Sequence, residues 1–287
     1  MQHFILTRFN IKIFKCNKHM ESVMTDDWLE NRFLLFEKYC LPSVLKQSCR
    51  EFKWICLFDK DTLEKYKSKI EQYEQDFDGF IPVFLSQSES LEYVKRFREI
   101  VASHVSSHAG EKLITTYLDN DDLLRQDFIE TVQDYAKDLS RPSIISFNYG
   151  IQYYTGIRIG TRIRYRNNHF LSLVEQVKSD KMPVTVMSIS HYYLDKYKIN
   201  VIDDLVHRDM WVELIHNNNV DNDVKMKTWH RLLDFEDSIT EYGVDLKSRN
   251  RVLKYLFIFV PRMIGQFFRR LKYRIIKIKW PPYIEAT

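Results

Sequence analysis

Glycine is scarce, with seven residues in 287, about a third of ordinary usage. Phosphate sites built from glycine-rich loops therefore have little to be made of. Neither a GxGxxG nor a GxxxxGK[ST] run occurs, which excludes a glycine-fingerprint dinucleotide site and a P-loop. Cysteine is thin as well. Cys16, Cys40, Cys49 and Cys56 form no CxxC pair and no zinc-ligand spacing, so reduced, mostly buried thiols of a cytoplasmic protein are expected. Long apolar runs are missing. The longest, Tyr255 to Val260, falls far short of the roughly 20 residues that span a bilayer. The N-terminus reaches Arg8 and Lys12 before any stretch apolar enough for a signal peptide. No internal repeat or low-complexity segment is visible.

What is present reads as a folded α/β protein. An apolar content of 45% with 29% charged residues is ordinary for a globular chain and argues against disorder. The net charge of +4 averages two unlike regions. Residues 1–245 carry 32 basic and 38 acidic side chains, whereas residues 246–287 carry 11 basic and one acidic, Glu285. The split divides the chain into a domain over 1–245 and a basic tail over 246–287, and it predicts an anionic partner for the tail.

Strand and helix signals alternate along the first 150 residues. Strands are predicted at Phe4 to Phe9, Phe52 to Phe58, Phe80 to Leu85, Leu113 to Leu118 and Ser143 to Phe147. Helices are predicted at 27–48 with a kink at Pro42, at 60–78, at Ser90 to His108 and at Asp127 to Leu139. Trp54 and Phe52 are expected in the core. Alternation of this kind indicates a mostly parallel central sheet flanked by helices. Ligands of such sheets bind beyond the carboxyl ends of strands. Two predicted ends carry acid there, Asp59 and the Asp119-Asn120-Asp121-Asp122 cluster.

Three carboxylates within four residues repel one another, and an extended chain sets Asp119 and Asp121 on the same side. A hard cation, Mg²⁺ or Mn²⁺, relieves that repulsion and in turn binds a diphosphate. Helix capping is the simpler use of an aspartate ahead of LLRQDFIETV, but one aspartate suffices for a cap. An EF-hand is excluded, because Leu124 stands where its loop needs glycine.

The ordered set TRFN at Thr7 to Asn10, Trp28 and Arg32 in the next segment, PSxxxQ at Pro42 to Gln47, FxWxxxFD ending at Asp59 and TTxLDNDD ending at Asp122 is followed by NNHFLSLVE and WxxxxHxxN. Together these motifs, over roughly residues 3–222, resemble the nucleotide-sugar glycosyltransferases of the GT-A fold, and more narrowly a bacterial rhamnosyltransferase family. The resemblance implies a GT-A-like, Rossmann-related fold and transfer of a sugar, rhamnose by the family label, from a nucleotide-sugar donor in surface polysaccharide assembly. It implies that Thr7, Arg8, Asn10 and Asp59 line the donor nucleotide pocket. Asp119 and Asp121 would be the DxD-type pair holding Mn²⁺ or Mg²⁺ on the donor diphosphate, and His216 would reach the metal or the phosphates. The chain departs from the family pattern at Tyr117, where arginine is expected, and at Asp209, where proline commonly precedes MW.

Other candidates carry less. His104 and His108 are four apart on a predicted helix, but no acid follows the first, so HExxH is absent and surface histidines are expected. Arg158, Arg162, Arg164 and Arg166 alternate with apolar residues, which predicts a strand or hairpin with one basic face. That face is either simply solvated or a platform for an anionic acceptor, a glycan or a lipid diphosphate, through Arg162 and Arg164. An inverting transfer needs a carboxylate to take the acceptor proton. Glu175, Asp203, Asp204 and Asp209 are candidates, with the Asp203-Asp204 pair preferred because neighbouring acids raise one another's affinity for a proton; capping of a helix at 204–216 is the alternative use of the pair. The tail interleaves its basic residues with aromatic and aliphatic ones, the pattern of an amphipathic helix on an anionic membrane surface; a helix packed on the domain or on another subunit is the alternative. No nucleic-acid-binding motif accompanies it. The expected location is the cytoplasmic face of the cell membrane. A metal-dependent phosphoryl or nucleotidyl transferase, or a non-catalytic membrane-associated protein that binds sugar nucleotides, are the alternatives.

Overall fold

The computed structural model describes residues 1–13, 25–105, 110–178, 180–203, 205–216, 231–232, 240–244 and 251–275. Cys16, His108 and Asp204 lie outside the described residues, as do 246–250 and 276–287 of the tail. Twelve strands are seen among the described residues: β1 Gln2–Arg8, β2 Lys53–Asp59, β3 Phe80–Leu85, β4 Lys112–Tyr117, β5 Leu123–Leu124, β6 Ser143–Ser146, β7 Tyr149–Tyr154, β8 Ile159–Arg164, β9 Leu171–Gln176, β10 Asn200–Ile202, β11 Trp211–Ile215 and β12 Arg231–Leu232. The helices are α1 Asp26–Leu35, α2 Leu41–Leu45, α3 Glu64–Asp76, α4 Gln87–Leu91, α5 Tyr93–His104, α6 Phe128–Lys137, α7 Arg251–Lys254 and α8 Val260–Ile275.

Seven strands form the central sheet in the order β10-β6-β9-β4-β1-β2-β3. β1 pairs in parallel with both β2 and β4, β2 with β3, and β6 with β10, while β9 runs antiparallel between β4 and β6. This is the expected arrangement, a mixed but mostly parallel central sheet flanked by helices. Alternation along the strands explains its two covered faces. Trp54, Cys56 and Phe58 point to one core with Phe33, Phe36, Phe128 and Val132. Ile55 and Leu57 point to the other, with Phe97, Val101 and Leu194. Each of these large buried side chains contributes roughly 1.5–3 kcal/mol by leaving water. Trp54 and Phe52 are both in the core, as expected.

A second, five-stranded sheet, β12-β8-β7-β11-β5, stands beside the first. β11 is a correction. A helix was expected over 204–216, yet Trp211–Ile215 is a wholly buried strand between β5 and β7. The single helix expected over Ser90 to His108 is also divided, because Ser86 and Glu89 cap α4 reciprocally and Glu92 leaves helical geometry before α5 begins. The kink expected at Pro42 is relieved upstream. Phe36–Cys40 forms a π turn, whose extra residue lets Pro42 enter α2 in its first turn, where its missing N–H costs nothing.

Gly150 shows why glycine is kept where it is. A Cβ there would stand 2.2 Å from the Trp211 ring. The indole lies flat over the strand at that point and donates from Nε1 to the Phe147 carbonyl at 2.7 Å.

Candidate functional site at the carboxyl ends of β1, β2 and β4

Parallel register brings the expected residues to one edge. Arg8 lies opposite Leu57 and Leu6 opposite Tyr117, so TRFN, Asp59 and the acidic cluster all emerge together.

Part of this set shapes the loops. The Thr7 hydroxyl is fully buried; it donates to the Leu118 carbonyl at 2.8 Å and accepts from the Trp54 indole at 2.9 Å. Asn10 accepts from the Asp59 backbone N–H and donates to the Thr62 hydroxyl, both at 3.0 Å. Asp59 accepts from the Asp61 backbone N–H at 2.7 Å, and the Lys12 ammonium lies 3.2 Å from its other oxygen. Asn120 donates to the Phe9 carbonyl at 2.8 Å.

The three carboxylates of the cluster take three different environments. Asp119 is the one that reaches solvent, with its side chain 29% exposed. It accepts from the Tyr117 hydroxyl, which in turn accepts from Arg8. Arg8 also sits over the rings of Tyr93 and Tyr117, 5.3 and 5.2 Å from their centres. Burial works against the charge on Arg8, but Tyr117, Asp119 and Tyr93 outweigh it and hold the guanidinium charged. Tyr117 thus joins an arginine on β1 to the acidic cluster.

Asp121 is buried. Its Oδ2 accepts from Arg32 Nη1 and from His216 Nε2, each at 2.7 Å. Burial alone would raise its proton affinity; Arg32 foremost, then His216, overcome this and hold the carboxyl well below the usual carboxylate range. Arg32 also donates to Asn120 at 3.0 Å and lies over the Trp28 ring, 5.1 Å from its centre. The i, i+4 spacing of Trp28 and Arg32 on α1 puts both on one face, and Thr25 caps that helix.

Asp122 has no exposed surface. Its Oδ1 accepts from the Leu214 backbone N–H at 2.9 Å, and its Oδ2 shares a hydrogen bond with His169 Nε2 at 2.7 Å. Burial, joined by the charges of Asp121 and Asp119, pushes the Asp122 carboxyl up to about 8 despite His169. Burial by itself lowers the His169 imidazole, but the Asp122 hydrogen bond and the nearby Asp122, Asp119 and Glu213 charges raise it above its ordinary value. The pair therefore keeps its protons to higher pH than either group would in water.

Asp119, Asp122 and His169 offer ligand atoms that all lie within 4.8 Å of one another. Two carboxylates and an imidazole suit Mn²⁺ and also accept Mg²⁺, so the residues fit a divalent cation. The structure places the sequence-derived metal candidates Asp121 and His216 together, but against Arg32. His169 was missed as a ligand although its motif was recognised. The signal is the antiparallel register: Thr116 faces Ser172, and continuing that pairing three residues sets His169 opposite Asp119. His169 is then held by stacking on Phe170 (4.2 Å), which stacks on Trp211 (4.7 Å). Glu213, also unforeseen, is buried on β11 and accepts from Gln152 at 2.7 Å.

The remaining candidates lie on the second sheet or near it. Arg162 pairs with Asp209 at 2.6 Å and Arg166 with Asp203 at 2.5 Å, so two of the base candidates hold two arginines of the basic row. Arg164 lies 5.8 Å from the centre of the Tyr149 ring. Glu175 accepts from the backbone N–H groups of Val184 and Thr185, at 3.0 Å each. His104 Nδ1 donates to the Ile100 carbonyl at 2.9 Å, at the end of α5. Among the described residues, no helix is long and apolar enough to cross a membrane.

Comparison with known proteins gives weak structural and clear sequence relationships. S. aureus TarS 1–349 in complex with UDP is similar at 10% identity, over 75% of this chain and 61% of that one, with a TM-score of 0.40. S. aureus TarS 1–349 is similar at 11% identity, over 52% of this chain and 35% of that one, with a TM-score of 0.33. The chain thus spans less than two thirds of the length of either structure. No curated protein matches the chain. The family profile described as "Putative rhamnosyl transferase" matches residues 4–228, and the chain belongs to that family.

Proposed function

We propose that the chain is a divalent-metal-dependent glycosyltransferase. It moves a sugar, with rhamnose the family's suggestion, from a nucleotide-sugar donor to a hydroxyl of a glycan or lipid-linked acceptor in surface polysaccharide assembly. The observation that carries this reading is the Asp119, Asp122 and His169 cluster beside Arg8, at the carboxyl end of a mostly parallel sheet.

Asp119, Asp122 and His169 would hold the cation, which when bound supplies positive charge against the donor diphosphate. Arg8, kept charged and oriented by Tyr93 and Tyr117, adds a fixed positive charge at the same edge. Asp121, Arg32 and His216 brace the loop from which Asp119 projects. The acceptor oxygen attacks the anomeric carbon as the bond from that carbon to the diphosphate oxygen breaks, with inversion. The acceptor proton passes to a carboxylate. Asp203 and Asp204 are the proposed pair for that role, with Arg162 and Arg164 on the acceptor side.

Donor turnover across a panel of nucleotide sugars, with Mn²⁺ or with chelator, tests the assignment. Hydrolysis or transfer that requires the metal and falls about 10²–10³-fold in Asp119→Asn is expected. Turnover unchanged by that variant would sink it.

A further inference from the structure

Residues 251–275 form one helical rod. α7 runs through a π turn, Tyr255–Phe259, into α8. Tyr255, Phe259 and Met263, spaced by four, fasten it to the domain. Phe259 is 1% exposed, and its ring meets that of Tyr154 edge-on at 4.7 Å.

The flank turned away from the domain is apolar and uncovered. Ile264, Phe267, Phe268 and Leu271 follow i, i+3, i+4, i+7, which is one stripe of a helix, and are 41–60% exposed. Leu253, in α7, and Leu256 and Phe257, within the π turn, repeat the i, i+3, i+4 spacing and are 53–74% exposed. Apolar side chains scattered singly over a surface are ordinary, but seven along one rod form a docking surface.

Charge selects the occupant. Residues 246–284 hold 11 Lys or Arg and no Asp or Glu. A second copy of this surface would bring like charge against like charge. A nucleic acid would satisfy the cations but leave Leu253, Leu256, Ile264 and Leu271 in water. An anionic bilayer interface takes both the aliphatic stripe and the basic flanks.

We infer that this rod is an interfacial helix that lies in the surface of an anionic lipid bilayer, with Phe257, Phe267 and Phe268 entering the acyl boundary. Its position gives the contact a consequence. Ile215, the last residue of β11, is buried against Phe259, and the next residue, His216, bonds Asp121. The bilayer is thereby held beside the acidic cluster. If the transferase reading above holds, this selects a lipid-linked acceptor over a soluble glycan.

Flotation of the full chain with phosphatidylcholine vesicles, with and without about a third phosphatidylglycerol, tests the docking surface. Neither donor nor metal is added, so the result is independent of the transferase reading. Binding to the anionic vesicles that weakens in high salt is expected. Two variants should each lose at least about tenfold in partitioning while keeping the wild-type circular dichroism: Phe267→Ser with Phe268→Ser, and Arg262→Glu with Lys272→Glu. Failure to bind anionic vesicles, equal binding to neutral ones, preferential capture of RNA, or a dimer that the phenylalanine variants dissolve in sedimentation velocity would each overturn it.

Discussion

His169 Nε2 lies 2.7 Å from the Asp122 carboxylate and 3.9 Å from that of Asp119, although 47 residues separate His169 from Asp122. β9 makes this contact by running antiparallel beside β4. The histidine completes a donor set that the acidic cluster lacks by itself. His169→Ala is therefore expected to weaken Mn²⁺ binding by at least about 10–100-fold. Calorimetric titration of Mn²⁺ checks this, and wild-type affinity in the variant would remove His169 from the site.

The placement of His169 depends on a residue far from it in kind. Gly150 leaves room for Trp211, which stacks on Phe170, which stacks on His169. Gly150→Ala pushes a methyl group into the indole and should cost about 1–3 kcal/mol. Thermal unfolding should show a fall of several degrees, roughly 2–4 °C per kcal/mol, and Mn²⁺ affinity should fall with it. An unchanged melting temperature would mean that the indole can move without consequence.

Arg32 and Asp121 form a buried ion pair at 2.7 Å. Arg32 is the foremost opposing charge at Asp121, ahead of His216, so Arg32→Met is expected to cost up to about 3–5 kcal/mol. Adding Asp121→Asn should recover part of that loss, because no net charge is then stranded. Urea denaturation of the two variants measures both effects; additive losses would show that the pair is not coupled.

Burial lowers His3 from its ordinary 6.5 to about 3, and its Nε2 is 2.7 Å from the Thr116 hydroxyl. Between those two values the unfolded chain binds a proton that the folded chain does not. Stability therefore falls as pH drops below 6.5, at up to about 1.4 kcal/mol per pH unit. From pH 6.5 to 5 the wild type should lose about 1.5 kcal/mol more than His3→Gln. Parallel pH profiles of denaturant stability in the two proteins would contradict this.

The parts of this fold legible in the sequence are those where local pattern and tertiary role agree. FKWICLF and FIPVFL read as strands because short apolar runs bounded by polar turns fit a sheet covered on both faces, and β2 and β3 occupy them. WVELI is equally short and buried, but periodicity alone cannot separate a buried strand from part of a helix, and it was taken into one. The edge that gathers Arg8, Asp59 and Asp119 followed from strand ends. His169 did not, because its meeting with Asp119 is set by the register of an antiparallel strand that no local signal announces. The basic row was read as a strand or hairpin whose face is either solvated or a platform for an anionic acceptor, and β8 occupies it; that Arg162 and Arg166 are held by Asp209 and Asp203 depends on tertiary pairing that no local signal announces.

The proposed transfer rests on donor binding through a cation at Asp119, Asp122 and His169. Thermal shift of the whole chain against a panel of nucleotide sugars, with Mn²⁺ and with chelator, tests it most directly. At a ligand concentration of about 100 times Kd the stabilisation is about 2.7 kcal/mol, or some 5–10 °C. The predicted result is a rise of that size for donors of one base, present with Mn²⁺, absent with chelator and absent in Asp119→Asn. A rise that persists in chelator, or that Asp119→Asn leaves intact, would rule out a cation at this site as the donor's anchor.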